Sequence, residues 1–222
     1  CFLRSIFDSS LDPSTGAEPI VAAAGAYIHE RVPAISFVNH GYCSETTNVA
    51  DDYVVVRRYF RDGVEQPNAR ADLGREGGAQ LLEVGYEIGD DPDDGPGTVV
   101  HELMHTLGVM HEHQRGDRDN YVGICWLNVR EENDMLIKDD QLLLSAYDYH
   151  SRMHYHGGND RIDPPIDLPA PCGTNTLYTT NPANVELRHN GHMTAEDINT
   201  LSAMYGYAIG TPIKDDEYGA AV

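Results

Sequence analysis

The sequence predicts an α/β (α+β) fold: one domain of 222 residues, divided into an α/β lobe and an irregular lobe. Three observations lead there. Runs of β-branched and aromatic residues alternate with an alanine-rich helical stretch over residues 2–86. A single apolar helical run then follows an acidic turn. Beyond residue 157, Pro, Gly, Asn and Asp crowd the chain until a capped helix near the end. A chain of this length buries a sizeable core without a second domain.

In chain order, Phe2–Phe7 reads as a short strand. Glu18–Glu30 reads as a helix, with Pro19 in its first turn, where a missing N–H costs nothing. Val32–Val38, Tyr53–Phe60 and Gln80–Tyr86 have the composition of strands. Asp90–Gly97 is a turn-forming acidic loop that delivers the chain to a helix starting at Thr98. Asn128–Ser145 is expected to hold one irregular helix, and Gly157–Asn184 to be a loop-rich region. Thr194 and Asp197 have the spacing of a capping box for a helix running to about Tyr205, with Ile198, Leu201 and Tyr205 on one face. The tail after Gly210 is polar, and no internal repeat is visible.

Composition removes several function classes. Lys and Arg number 15 against 36 Asp and Glu, a formal charge of −21 that would repel a phosphate backbone, so nucleic acid is not expected as a partner. No stretch approaches the ~20 apolar residues needed to cross a bilayer, and the first residues lack the pattern of a signal peptide, so a mature or trimmed chain without membrane insertion is expected. The four cysteines, at 1, 43, 125 and 172, form no CxxC pair, which suits two disulfides in an oxidising compartment better than a sulfur-ligated metal. Of three possible pairings the reading leans to Cys125 with Cys172 and Cys1 with Cys43, with buried free thiols as the alternative.

The chemistry lies in residues 101–112, His-Glu-Leu-Met-His-Thr-Leu-Gly-Val-Met-His-Glu. At ~100° per residue, His101 and His105 lie about 40° apart on one helical face and can share an ion. An unbroken helix would carry His111 to about 240° from His105, on the far side, so the chain must turn between them. Gly108 is the residue able to make that turn, because it adopts the left-handed conformation without a Cβ clash. Three neutral imidazoles and no thiolate suit a catalytic Zn2+ that keeps one position open for water. Glu102, beside the first ligand, is placed to act as general base toward a zinc-activated water. A bare HExxH is a weak motif, but with 11 His and 21 Gly in the chain the full HExxHxxGxxH arises by composition alone in only about one or two chains in ten thousand.

The string from His101 to Glu112, continued by His113-Gln114-Arg115 and then Asp117-Arg118-Asp119-Asn120-Tyr121-Val122, resembles the astacins, a branch of the metzincin metallopeptidases. Ser151-Arg152-Met153-His154-Tyr155 is similar to the Met-turn of that family, and Thr194–Tyr205 to its last helix. The resemblance implies a metzincin-like fold: a twisted mixed sheet with two long helices in an upper lobe (about 1–111), an irregular lower lobe with a C-terminal helix (112–210), a tail (211–222), and the active-site cleft between the lobes. It also implies that Met153 forms an apolar floor under the metal and that Tyr155 is a further zinc ligand able to swing away and stabilise the oxyanion. The segment Gln80–Tyr86 would then be an edge strand on which an extended substrate pairs.

The implied function is that of a secreted zinc-dependent metalloendopeptidase hydrolysing internal peptide bonds of proteins, acting as a monomer on protein or peptide substrates. A binding protein with a structural zinc is the rival reading, against which Glu102 argues, because a purely structural site has no need of a base. A zinc hydrolase of small amides is another. His113, His150, His154 and His156 are expected to be hydrogen-bonded structural residues outside the ligand set. Arg115, Asp117, Arg118 and Asp119 are expected to brace the following loop through ion pairs, although Arg115 could also touch substrate.

Two departures from the family pattern matter. Cysteines that astacins carry at the strand matching Val32–Val38 and near the C-terminus are absent here, so the family's disulfide scheme does not carry over. The partner of Glu112, which in the family meets the N-terminus released on activation, is open; a local arginine is the alternative.

Overall fold

The computed structural model describes residues 17–38, 52–85, 88, 96–138, 142–182, 185–188 and 191–206. The expected strand Phe2–Phe7, a Cys1–Cys43 disulfide, most of the acidic loop after Asp90 and the C-terminal tail lie outside these residues. The chain forms two compact units: one built from the chain up to Val109 and from Leu201 onward, the other from Met110–Thr200.

In the first unit, α1 (Ala17–Arg31) buries Ala24 and Ile28. Gly25 packs closely under Phe37: a Cβ there would stand 3.1 Å from its ring, so the ring would have to shift by a few tenths of an ångström. At the helix end the Arg31 guanidinium lies 3.5 Å from the Tyr27 ring centroid and donates to the Tyr27 carbonyl at 3.1 Å, placing a cation at the negative end of the helix. The expected strand Val32–Val38 does not form: Val32 N–H still reaches back to Ile28 O, and Ile35 N–H closes a turn on Val32 O. Pro33, inside that turn, has no N–H to give a strand ladder.

The sheet of this unit holds β1 (Tyr53–Arg58), β4 (Arg70–Ala71) and β5 (Ala79–Val84), in the order β1-β5-β4. β5 runs parallel to β1 with Val56 opposite Leu82, and antiparallel to β4 with Arg70 opposite Glu83. The sheet is therefore mixed. β5 is central, which corrects the expectation of an edge strand over Gln80–Tyr86; the two-residue β4 takes the edge among the described residues. A hairpin of β2 (Phe60–Arg61) and β3 (Val64–Glu65) turns at Asp62-Gly63, both with positive φ, as a tight right-twisted hairpin requires.

Val55, Val56, Leu82 and Val84 from the sheet and Val99, Val100, Leu103 and Met104 from α2 (Gly97–Thr106) are buried, with α2 packed on β4, β5 and α1. Glu83 is 1% exposed, yet it is paired with Arg57 at 2.6 Å and with Arg70, so its charge is compensated.

The second unit has little regular structure. β6 (Val122–Ile124) and β7 (Leu177–Thr179) pair antiparallel, and α3 (Glu132–Met135) is a single turn. Among the described residues, the irregular helix expected over Asn128–Ser145 thus shrinks to four residues. It stops because its carbonyls are taken by side chains from elsewhere: Asp134 O accepts from His113 and Gln114, and Met135 O from Arg118.

Cys125 and Cys172 form the expected disulfide, and Val122, Val129, Met135 and Leu177 make a core flanked by Tyr121, Tyr147, Tyr149 and Tyr155. The fully buried Asn128 holds the loop region like a rivet, its amide nitrogen donating to Ile166 O, Gly173 O and Asn175 O while its oxygen accepts from Ile166 N–H. α4 (Ala195–Tyr205) opens on the expected capping box: Asp197 N–H donates to Thr194 Oγ1 at 3.1 Å, and Thr194 N–H to Asp197 Oδ2 at 2.9 Å. Among the described residues no helix is long and apolar enough to cross a membrane.

Candidate metal centre

α2 carries the first two histidines. Val99, Val100, Glu102, Leu103 and Met104 are buried, while His101 and His105, one turn apart, remain partly exposed with ring centroids 4.6 Å from each other. The helix then ends where the sequence requires. Gly108 has φ +92°, its N–H donates to His105 O at 2.8 Å, and Val109 N–H reaches Met104 O at 2.9 Å. This pair of bonds is a Schellman motif with glycine at the left-handed position. Gly74 N–H adds a second bond to His105 O, and Tyr205 caps Leu107 O from α4.

His105 Nδ1 donates to Val109 O at 2.8 Å, which leaves Nε2 as the nitrogen carrying the lone pair. Burial holds this imidazole below its ordinary pKa, favouring the neutral form that a metal needs. His101, His105 and His111 each offer one ligand atom, and these atoms all lie within 4.8 Å of one another, the one such group of three among the described residues. The donor set is three imidazoles with no thiolate and no carboxylate. That is the chemistry of a zinc site with a coordination position left open, and the residues present fit the ion.

His111 continues into a 3₁₀ turn, Glu112–Gln114, whose residues are buried. Glu112 N–H donates to Met153 O at 2.9 Å, tying the third histidine's segment to the turn Ser151–Tyr155. That turn is fixed from behind by Asp197, whose carboxylate accepts from Ser151 Oγ at 2.6 Å and from Arg152 N–H at 2.9 Å. Met153 is fully buried. The Tyr155 ring lies 4.5 Å from the His111 ring, centroid to centroid.

The Glu112 carboxylate meets a local arginine: Oε1 accepts from Arg115 at 2.9 Å and from Asp148 N–H at 2.9 Å. Burial pushes the carboxyl up to about 8, against the pull of Arg115. Arg115 also grips Asp117 and the carbonyls of Ser145 and Ala146, and Arg118 grips Asp119, His113 O and Met135 O, so the expected brace is in place. Arg115 is 4% exposed and wholly engaged in it.

None of the other histidines near the motif joins the group of three. His113 Nε2 donates to Asp134 O, His154 bonds Tyr147 Oη and the Tyr155 carbonyl, and His150 Nδ1 bonds Arg188 O. Burial pushes His113 down to about 3 and His154 down to about 4, so both rings are neutral. Sequence reasoning missed a cavity of about 520 Å³ that begins at His156 and is lined by Leu177, Tyr178, Val185, Leu187 and Arg188. These residues come from a stretch without periodicity, so nothing in their order marks them as neighbours.

A helix ending in a glycine turn, three imidazoles gathered by it and a buried methionine turn are the features of a metzincin-like α+β fold. The chain belongs to the astacin family of peptidases, whose family model matches residues 34–206. It is 40% identical over 117 residues to zinc metalloproteinase nas-8 of Caenorhabditis elegans, covering 49% of this chain and 25% of that protein. Over 85 residues it is 39% identical to the astacin-like metalloendopeptidase of Mus musculus, covering 37% of this chain and 19% of that one. The matched parts thus span about a fifth to a quarter of these relatives. Among solved structures it resembles high choriolytic enzyme 1, a hatching enzyme zinc-protease from Oryzias latipes, with TM-score 0.67 and 25% identity over 90% of this chain and 86% of that one.

Proposed function

We propose that this chain is a zinc-dependent metalloendopeptidase that hydrolyses internal peptide bonds of proteins, with His101, His105 and His111 holding the ion and Glu102 acting as general base. The observation that carries this reading is the group of three imidazole nitrogens within 4.8 Å, gathered around a helix that also bears Glu102. Zinc in that group supplies a Lewis acid that acidifies water and polarises a carbonyl.

The protein's own residues do the rest. Glu102 takes the proton from the attacking water and passes it to the departing amide nitrogen. Tyr155, whose ring meets the His111 ring at 4.5 Å with the planes tilted 56°, would serve as a further ligand and donates its hydroxyl hydrogen to the oxyanion as the carbonyl carbon becomes tetrahedral. Met153 gives the site an apolar floor, Gly108 turns the chain so that His111 completes the set, and Glu112 fastens the third ligand's segment to the Met-turn. The enzyme works as a secreted monomer; a disulfide and a formal charge of −21 suit an oxidising, extracellular setting.

The test pairs zinc content with casein cleavage for the parent and for Glu102→Gln. Retained zinc with cleavage reduced at least ~100-fold is expected. Undiminished cleavage by the variant removes Glu102 from the mechanism.

A further inference from the structure

His113 is a costly residue to place where it stands. It is completely buried, its Nε2–H is given to Asp134 O at 2.8 Å, and its Nδ1 has no hydrogen-bond partner among the described residues. An apolar ring there would leave no such acceptor stranded, and a buried acceptor without a partner is destabilising. Stability alone therefore does not account for an imidazole at this position.

Its surroundings suggest a role. The His113 ring is stacked on the Tyr155 ring with centroids 4.2 Å apart and planes 27° apart, and Tyr155 meets His111 on a second side at 4.5 Å. The His113 ring is held in place. Arg118 Nη1 donates both to His113 O at 2.9 Å and to Met135 O at 2.7 Å, joining the segment that carries the ring to the segment that carries its acceptor. Gln114 adds a bond to the same Asp134 carbonyl at 3.1 Å.

We propose that His113 is a positioning residue: pinned through Nε2 to Asp134 O, its imidazole is the flat wall that sets the plane and placement of the Tyr155 phenol. This rests on the reading of Tyr155 given above. An anchored planar wall lets the phenol hydroxyl move within one plane and resists tilting out of it, which is what a group that must reach an oxyanion reproducibly needs.

The experiment compares His113→Leu, His113→Phe, Tyr155→Phe and the double variant His113→Leu/Tyr155→Phe, each checked for zinc content and thermal unfolding. Leucine removes the flat wall and its pin; phenylalanine keeps a flat ring but has no N–H to give Asp134 O. His113→Leu is expected to lose ~10-fold or more in kcat with KM little changed, and His113→Phe, a wall no longer pinned, to lose ~3-fold to ~10-fold. The double variant should be no slower than Tyr155→Phe, because both changes disable one device. A second readout is independent of turnover: in the copper(II)-substituted protein the phenolate-to-copper charge-transfer band should shift or weaken in His113→Leu and persist in His113→Phe.

An unchanged kcat and band in His113→Leu, or losses that add in the double variant, overturn the proposal. Should leucine prevent folding, a His113→Phe variant as fast as the parent overturns it equally, because that ring has no pin. If Tyr155→Phe itself is as fast as the parent, the reading of Tyr155 falls and this proposal with it. A slow Tyr155→Phe beside an unaffected His113→Leu removes His113 alone.

Discussion

Replacing Gly108 with alanine tests the turn on which the metal centre depends. Gly108 sits at φ +92°, beyond the centre of the left-handed well near +57°, where an L residue with a Cβ is strained by roughly 1–3 kcal/mol. Space adds little, since the new Cβ would come within 3.3 Å of the tip of the flexible Met204 side chain and 3.7 Å of Gly74 Cα. Restricting the unfolded chain returns ~0.4–1 kcal/mol, so the midpoint of the net loss is about 1.3 kcal/mol. For a chain of this size that is a fall of ~3–5 °C in Tm. Thermal unfolding of metal-free parent and variant measures it, and competition with a chromophoric chelator measures zinc affinity, expected to weaken because the Schellman turn leads directly to His111. Gly108→Asn should lose less than Gly108→Ala, because asparagine tolerates positive φ better. A Gly108→Ala protein that melts within ~1 °C of the parent and binds zinc equally well would refute the reasoning.

Asp197→Asn should destabilise by ~1–3 kcal/mol in urea unfolding, because one amide oxygen cannot serve the Ser151, Arg152 and Thr194 donors that the carboxylate now accepts; an unchanged midpoint would show that this anchor of the Met-turn is dispensable. Replacing both Cys125 and Cys172 with serine frees a chain separation of 47 residues, for which the loop-entropy relation gives a loss of about 4 kcal/mol. If the double serine protein unfolds at the parent's urea midpoint, Asn128 and the core alone hold the loop region. Dialysis against a strong zinc chelator should abolish casein cleavage and leave far-UV circular dichroism nearly unchanged, since sheet, disulfide and helix caps do not depend on the ion; collapse of the spectrum would assign the zinc a structural role instead.

What could be read from the sequence was local or covalent. The helix from 97, its glycine stop, the capping box at Thr194 and Asp197, and the Cys125–Cys172 pair depend on residues a few positions apart or on the chemistry of sulfur. The errors fell where distant partners decide. Tyr53–Phe60 has the composition of one strand but is interrupted at Tyr59, whose N–H goes to Val84 O and whose carbonyl accepts from Gln66. The central place of β5 is set by β4, two residues long and too short to leave a pattern. The helix expected from Asn128 to Ser145 gives way because Asn128 is committed to carbonyls 38 to 47 residues away. The grouping of His101, His105 and His111 was legible from spacing, whereas the stacking of His113 on Tyr155 joins residues 42 positions apart and has no signature in either segment.

Metal analysis of the protein as isolated, combined with zinc X-ray absorption, addresses the three-imidazole centre most directly. One zinc per chain with a first shell of nitrogen and oxygen scatterers at about 2.0–2.1 Å, carrying the outer-shell pattern of imidazole, is expected, together with loss of the ion in His105→Ala. Sulfur scatterers near 2.3 Å, or undiminished zinc in His105→Ala, would contradict it.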